Sequence, residues 1–253
     1  MPRPYNRRAM SDFAPDKSDA ADRLRRELAS VRGLRGAARA EAPVADDRAT
    51  LRAWQAARFA RTYADLLTAP RYAAAASFFL SDLYGPADPA ARDEAVARSL
   101  PTMVRVLPAP ALDTIARAVE LDALSERLDL AMVLALRRRQ PTGELAISEP
   151  SYAEAYRAAA ERTERERQID LVNQIGVALD RLARTPMLAG ALAIMEAPAR
   201  AAGVAALHDF LVRGFRAFRQ MRGAADFLAT VEARERRINE RLYAGDPQPF
   251  AGT

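Results

Sequence analysis

Residues 71–93 read RYAAAASFFLSDLYGPADPAARD, the densest apolar stretch of the chain and the one that stops most sharply. Pro70, just before it, suits the first turn of a helix, where its missing N–H costs nothing. Tyr72, Ala75, Ala76, Phe79 and Leu83 then recur at helical spacing. Phe78 and Leu80 fall on the opposite side. The expected helix is therefore apolar almost all round, the pattern of a helix buried on most of its circumference. Tyr84-Gly85-Pro86 ends it, with Gly85 suited to the left-handed position past the last turn and Pro86 unable to continue. Asp88 followed by Pro89 starts the next helix as cap and first-turn residue.

Asp82 is the polar exception inside this apolar run, and a buried carboxylate needs a partner or a shifted pKa. Arg92 and Arg98 follow just after the turn. Asp82, Tyr84, Asp88, Arg92 and Asp93 can thus be read as the lining of a ligand pocket. They can equally be read as caps and ion pairs that fix a helix–turn–helix corner, and structural ion pairs commonly give this pattern.

The helices predicted on either side follow from caps and breaks. A basic N-terminal arm, residues 1–17, precedes a helix from about Ser18 with Leu24, Leu28 and Val31 as its stripe. Asp46 or Asp47 can cap a second helix that reaches about Leu67. After Asp88 a short helix extends to about Ser99, Pro101 opens a second short segment, and Pro110 begins a long amphipathic helix to about Arg139. Gln140-Pro141-Thr142-Gly143 is the clearest internal break, too short to be a domain linker. Ser151 and Glu154 have the spacing of a capping box, and the helix behind them is expected to run unbroken to Ala183. Its middle, Glu161–Gln168, is polar on every face, so it either projects into solvent, covers another helix with its alkyl stems, or pairs with a second subunit. A short apolar helix from Pro186 to Ala197, a longer one to Arg222, and a last helix ending at Gly245 complete the chain. No sustained alternation of period two occurs, so no sheet is expected. The expected architecture is all-α: a mobile arm at 1–17, one bundle-like domain of about eight to ten helices at 18–245, and a tail at 246–253.

FFLSDLYGPADPAARD and its continuation LPTMVRVLPAPALDTIARAVELDALSERLD resemble an uncharacterised family of bacterial proteins. The similarity extends through SYAEAYRAAAERTERERQ and LHDFLVRGFRAFRQM, covering about residues 50 to 245. The resemblance implies bacterial origin and a helical domain, and carries over no functional residue.

Composition narrows the chemistry. Of 253 residues half are hydrophobic, enough for a sizeable core. Cysteine is absent, which removes disulfides, thiol catalysis and cysteine-based zinc sites. No secretory signal is visible and no apolar run approaches the roughly 20 residues of a membrane span. A cytoplasmic location is the expectation. Lys17 is the sole lysine, and the other 37 basic residues are arginines, so an arginine here is weaker evidence of phosphate recognition than usual. The net charge of +5 sits entirely in residues 1–40, which carry ten basic and five acidic side chains. That segment could touch nucleic acid or an anionic membrane surface, although interspersed acids and the lack of interleaved aromatics fit a solvated helix.

His208 is the single histidine, on one face with Val204, Leu211, Phe215 and Phe218. It is a candidate axial ligand or general base beside Asp209, or simply a satisfied core histidine. A di-iron bundle needs two Glu-x-x-His pairs and is excluded, since position 205 is Ala. Phosphate-loop and nucleophile-elbow motifs are missing. Glu120, Asp129, Asp170 and Asp180 could form an all-carboxylate magnesium site only if their helices brought them together. No cofactor and no metal are expected. The leading expectation is a non-enzymatic interaction module that self-associates. The alternatives are a ligand-binding bundle with a pocket near His208 and Asp82, and nucleic-acid binding through the N-terminal segment.

Overall fold

A computed structural model describes residues 16–39, 42–80 and 89–252, with residues 37–39, 42–44, 89–93, 186, 187 and 207 placed as backbone alone. Among the described residues the chain forms eleven helices and no strand. They are α1 (Lys17–Arg39), α2 (Ala42–Thr62), α3 (Ala64–Thr68), α4 (Ala73–Phe78), α5 (Pro89–Val106), α6 (Ala109–Arg139), α7 (Glu149–Ala159), α8 (Arg162–Ala183), α9 (Pro186–Ala201), α10 (Ala205–Met221) and α11 (Ala225–Tyr243). No helix among them is long and apolar enough to cross a membrane.

The expected count of eight to ten is exceeded because two expected helices are broken. The segment from Ala42 is interrupted at Tyr63, whose side chain is fully buried and whose hydroxyl donates to Glu235 Oε1 at 2.8 Å. Burial of that ring outweighs local helix propensity. The expected helix 151–183 breaks at Ala160, which is extended, and Glu161 caps α8 in its place. There the Tyr243 hydroxyl donates to the Ala160 carbonyl at 2.8 Å, filling an acceptor that a continuous helix would have used itself.

Other expected boundaries move, and the helix from Pro186, expected to end at Ala197, runs on through Pro198 to Ala201. Pro101 lies inside α5 instead of dividing it. Val96, Leu100 and Met103 are buried in one cluster with α1 and α6 residues across that proline, so packing holds the helix together where the proline removes a hydrogen bond. The cap of α7 is Ser148, boxed with Ser151, and Glu154 instead pairs with Arg139 of α6. Asp47 is no cap either. It sits within α2, buried, and pairs with Arg137.

The hub of the fold is α6, 31 residues long, with α1, α2, α7 and α8 packed along it. Leu24, Leu28 and Val31 of α1 meet Leu112, Ala116 and Val119 of α6 at full burial or close to it. The stretch 71–93 is not that hub. Of it, residues 71–80 contain α4 and the wider turn at Phe79–Leu80, packed on α10, and residues 89–93 open α5. Phe78 presses against Gly214, where a Cβ would lie only 2.9 Å from the ring, so glycine is what lets the two helices approach. The C-terminal residues fold back. Phe250 packs edge-on against Trp54 and Tyr152, and Arg241 donates to the Gln248 and Ala251 carbonyls.

Candidate functional site

Among the described residues, buried polar chemistry concentrates where α2 faces α6. Asp122, Glu126 and Asp129 stand one turn apart along α6, and Arg48, Arg52 and Gln55 repeat the same spacing along α2. The α2 stripe meets Glu126 and Asp129, and Asp122 is left to α1. Glu126, only 3% exposed, is engaged by Arg48 and Arg52 from α2 and by Arg35 of α1 at 3.2 Å. Arg35 also reaches Asp122 at 2.7 Å. Asp129 accepts from Gln55 Nε2 at 3.0 Å and lies 3.9 Å from Arg52.

Burial sets the titration here. Desolvation holds the Arg48 guanidinium below its ordinary pKa, with the charge of Arg52 acting in the same direction. It pushes the Asp129 carboxyl up, against the opposing pull of the Gln55 hydrogen bond and of Arg52, Arg165 and Arg48. A raised carboxyl favours the protonated form in the fold. The stability it contributes is complete below the unfolded value of 3.8 and is lost as pH rises through the folded value. Asp129→Asn is therefore expected to gain stability relative to the parent as pH rises above 3.8. Urea melts of both proteins at a series of pH values check this. A parent that gains on the variant over that range contradicts it.

A wall of aromatic rings continues the network. Trp54 stacks on Tyr152 with centroids 4.0 Å apart, and Tyr156 meets Tyr243 edge-on at 5.7 Å. The Arg165 guanidinium, 3% exposed, lies 4.2 Å above the Tyr156 ring. Burial raises the Tyr152 and Tyr156 hydroxyls well above the ordinary tyrosine value. Tyr156 donates to Asn239 Oδ1 at 2.9 Å. Arg58 and the Tyr63 hydroxyl both hold Glu235. Beside Asn239 a depression of about 30 Å³ lies among Arg162, Glu166, Arg236 and Glu240, room for one water.

The residues singled out from sequence do not all fall within view. Asp82, Tyr84 and Asp88 lie outside the described residues. Arg92 and Asp93 belong to α5, and their side chains also lie outside them. His208 is buried at 8% exposure, with Nε2 2.8 Å from the Leu192 carbonyl and Nδ1 3.6 Å from Asp209. That is a histidine anchoring α9 to α10. The four acids considered for magnesium are separated. Glu120 takes Arg23 and Arg167, Asp129 takes Gln55, Asp170 takes Arg236, and Asp180 takes Arg184 and the Ala224 N–H. Among the described residues no three metal-ligating groups converge.

The family model that matches the chain is described as a domain of unknown function, DUF8198, and its match spans residues 34–249. The chain belongs to that family. The DUF8198 match takes in every member of the buried network, from Arg35 to Glu235, and leaves the first part of α1 outside. No curated protein and no solved structure matches the chain.

The network was missed from sequence because acids on an amphipathic helix normally mark its solvated face. The signal that could have found it is the twin spacing Arg48-Arg52-Gln55 and Asp122-Glu126-Asp129.

Proposed function

We propose that this chain is a non-enzymatic helical interaction module, cytoplasmic and bacterial, that self-associates through the outer face of α9. The observation that carries this reading is Ile194, 78% exposed and flanked on the same outward side by exposed Gly190, Ala193, Ala197 and Ala201. The inner side of α9 is occupied, with Ala199 buried, Met195 against the α1–α6 cluster, and the Leu192 carbonyl bonded to His208. The outward face carries no charge between residues 188 and 195, and the first charged pair, Glu196 and Arg200, satisfies itself at 3.0 Å. A neutral face of small residues around one large aliphatic is self-complementary. A second copy meets no like charge, and the small residues allow close helix approach around a two-fold axis.

Support also comes from inside. The buried carboxylates are engaged by arginines or hydrogen-bond donors of the same chain, and His208 by a backbone carbonyl. Groups held this way stabilise packing rather than serve a substrate.

Native mass spectrometry at tens of micromolar tests the reading. Dimers are expected, with Ile194→Glu returning the protein to monomer, because a carboxylate on each copy would be desolvated against its mate. A parent that is monomeric at that concentration overturns self-association. A mass that is not an integer multiple of the chain would instead favour a ligand-binding bundle around buried His208.

A further inference from the structure

The C-terminal ends of α8 and α10 meet, and arginines outnumber carboxylates there. Asp180 of α8 accepts from the Ala224 N–H at 3.0 Å, and Arg71 donates to the Met221 and Gly223 carbonyls, so the two ends form one surface. Arg181, Arg216, Arg219 and Arg222 are exposed, and none has an ion-pair partner among the described residues. The acids placed at this end are already engaged, Asp180 by Arg184 and Asp226 by Arg71. Residues 41–253 carry 28 basic and 28 acidic side chains in all, so an excess of arginine at this end is a local feature and not a property of the whole body.

A cation in the last turn of each helix is what the helix dipole favours. That accounts for one arginine per helix and leaves the remaining two unexplained. Arg222 adds a second anomaly. Its φ of 53° is left-handed, a position that glycine takes more easily, and an arginine stands there nonetheless. Such local departures from the best-fitting residue concentrate at functional positions.

We infer that the joined ends of α8 and α10 form a docking surface for an anionic membrane leaflet, with Arg181, Arg216, Arg219 and Arg222 meeting lipid phosphates and carboxylates. The shape of the patch favours lipid over nucleic acid. Arg216 to Arg222 spans about 9 Å of helix, and Arg181 on the adjoining helix broadens the row into a small area. Lipid head groups diffuse to fit any such spacing, whereas a duplex presents phosphates at fixed intervals along a groove. The aromatic side chains of α10 are turned inward. Phe218 is buried, and Phe210 and Phe215 pack on the cluster around it, so no ring is offered for base stacking. This inference rests on its own observation and stands apart from α9, although self-association would place two patches on one particle and raise avidity.

Sedimentation with vesicles tests it, using phosphatidylcholine alone and phosphatidylcholine with about a third phosphatidylserine, at low salt. The parent is expected to bind the mixed vesicles, not the neutral ones, and to be released by high salt. The triple variant Arg216→Gln/Arg219→Gln/Arg222→Gln is expected to bind about 100-fold more weakly, at roughly fivefold per arginine. The triple variant Arg26→Gln/Arg32→Gln/Arg237→Gln, which removes the same charge from other exposed positions, is expected to bind as the parent does. Equal loss in both variants would assign binding to net charge and overturn the site. So would a parent that ignores the mixed vesicles, or one that binds duplex DNA more tightly through the same three arginines. Unchanged melting of both variants shows that the fold is intact. Native mass spectrometry on the same samples reports α9 separately, so failure of either proposal is visible without the other.

Discussion

Glu126→Ala is expected to lower the unfolding free energy by about 3–5 kcal/mol, because it leaves three arginines facing one another in a buried seam. Glu126 is the carboxylate on which Arg35, Arg48 and Arg52 converge, bringing α1 and α2 onto α6 at one point. Removing it leaves Arg35 with Asp122 and Arg52 near Asp129, but takes the carboxylate partner from Arg48, which is already held below its ordinary pKa by burial. The total stability of a domain is of order 5–15 kcal/mol, so this single change takes a large share. Glu126→Ala combined with Arg48→Ala should cost less than the two changes summed, since the second removes the cation that the first leaves stranded. Urea unfolding of the single and double variants measures both quantities. A loss under about 1 kcal/mol for Glu126→Ala would mean that water enters the seam and the network is not truly buried.

The second large effect is expected at the other end of the molecule. Phe218, 1% exposed, sits in a cluster with Tyr63, Phe78, Met221 and Phe227, and its ring centroid is 6.4 Å from that of Phe79. Phe218→Ala should cost about 3–5 kcal/mol through lost transfer energy and the cavity left behind. The neighbours cannot close the gap easily. Phe78 is wedged against Gly214, and Phe79 and Phe227 are stacked with centroids 6.1 Å apart. Phe218→Leu, which keeps most of the volume, should cost much less. Thermal or urea melts distinguish the two, and similar losses for both variants would show that ring packing, rather than cavity volume, governs this cluster.

The two effects differ in how far the sequence disclosed them. Phe218 was legible, because it falls on the apolar stripe of α10 with His208, Leu211 and Phe215, and a stripe of that period has to be buried. Glu126 was not. On α6 it stands among other acids on what a periodicity argument assigns to a solvated face. Only the approach of α2, with Arg48, Arg52 and Gln55 on its inner side, turns that face inward.

The polar segment 161–168 shows the same division. Its charge pattern left open whether it projected into water or covered a neighbour. In the fold Arg127 pairs with Glu164 at 2.7 Å, Arg167 with Glu120 at 2.6 Å, and Gln168 donates to Ser125 at 2.8 Å, while Arg165 turns inward over Tyr156. The segment covers α6. The pocket read from Asp82, Tyr84, Asp88, Arg92 and Asp93 rests on side chains outside the described residues, so that reading stays where the sequence left it.

The sequence by itself determined that the regular structure of this chain is helical, that α6 runs from the prolines at 108 and 110 to the break at Gln140, and that its apolar stripes are buried. Period and capping are local properties, carried by neighbours three and four residues apart. The tertiary structure alone decided that α6 is the hub, that Pro101 does not interrupt α5, that α7 and α8 part at Ala160, and that an acid stripe is buried under arginines. These depend on groups distant in the chain meeting in space, as with Arg52 and Glu126, 74 residues apart, or Tyr243 and the Ala160 carbonyl, 83 apart. Burial energy at such contacts exceeds the few tenths of a kcal/mol by which local propensities differ.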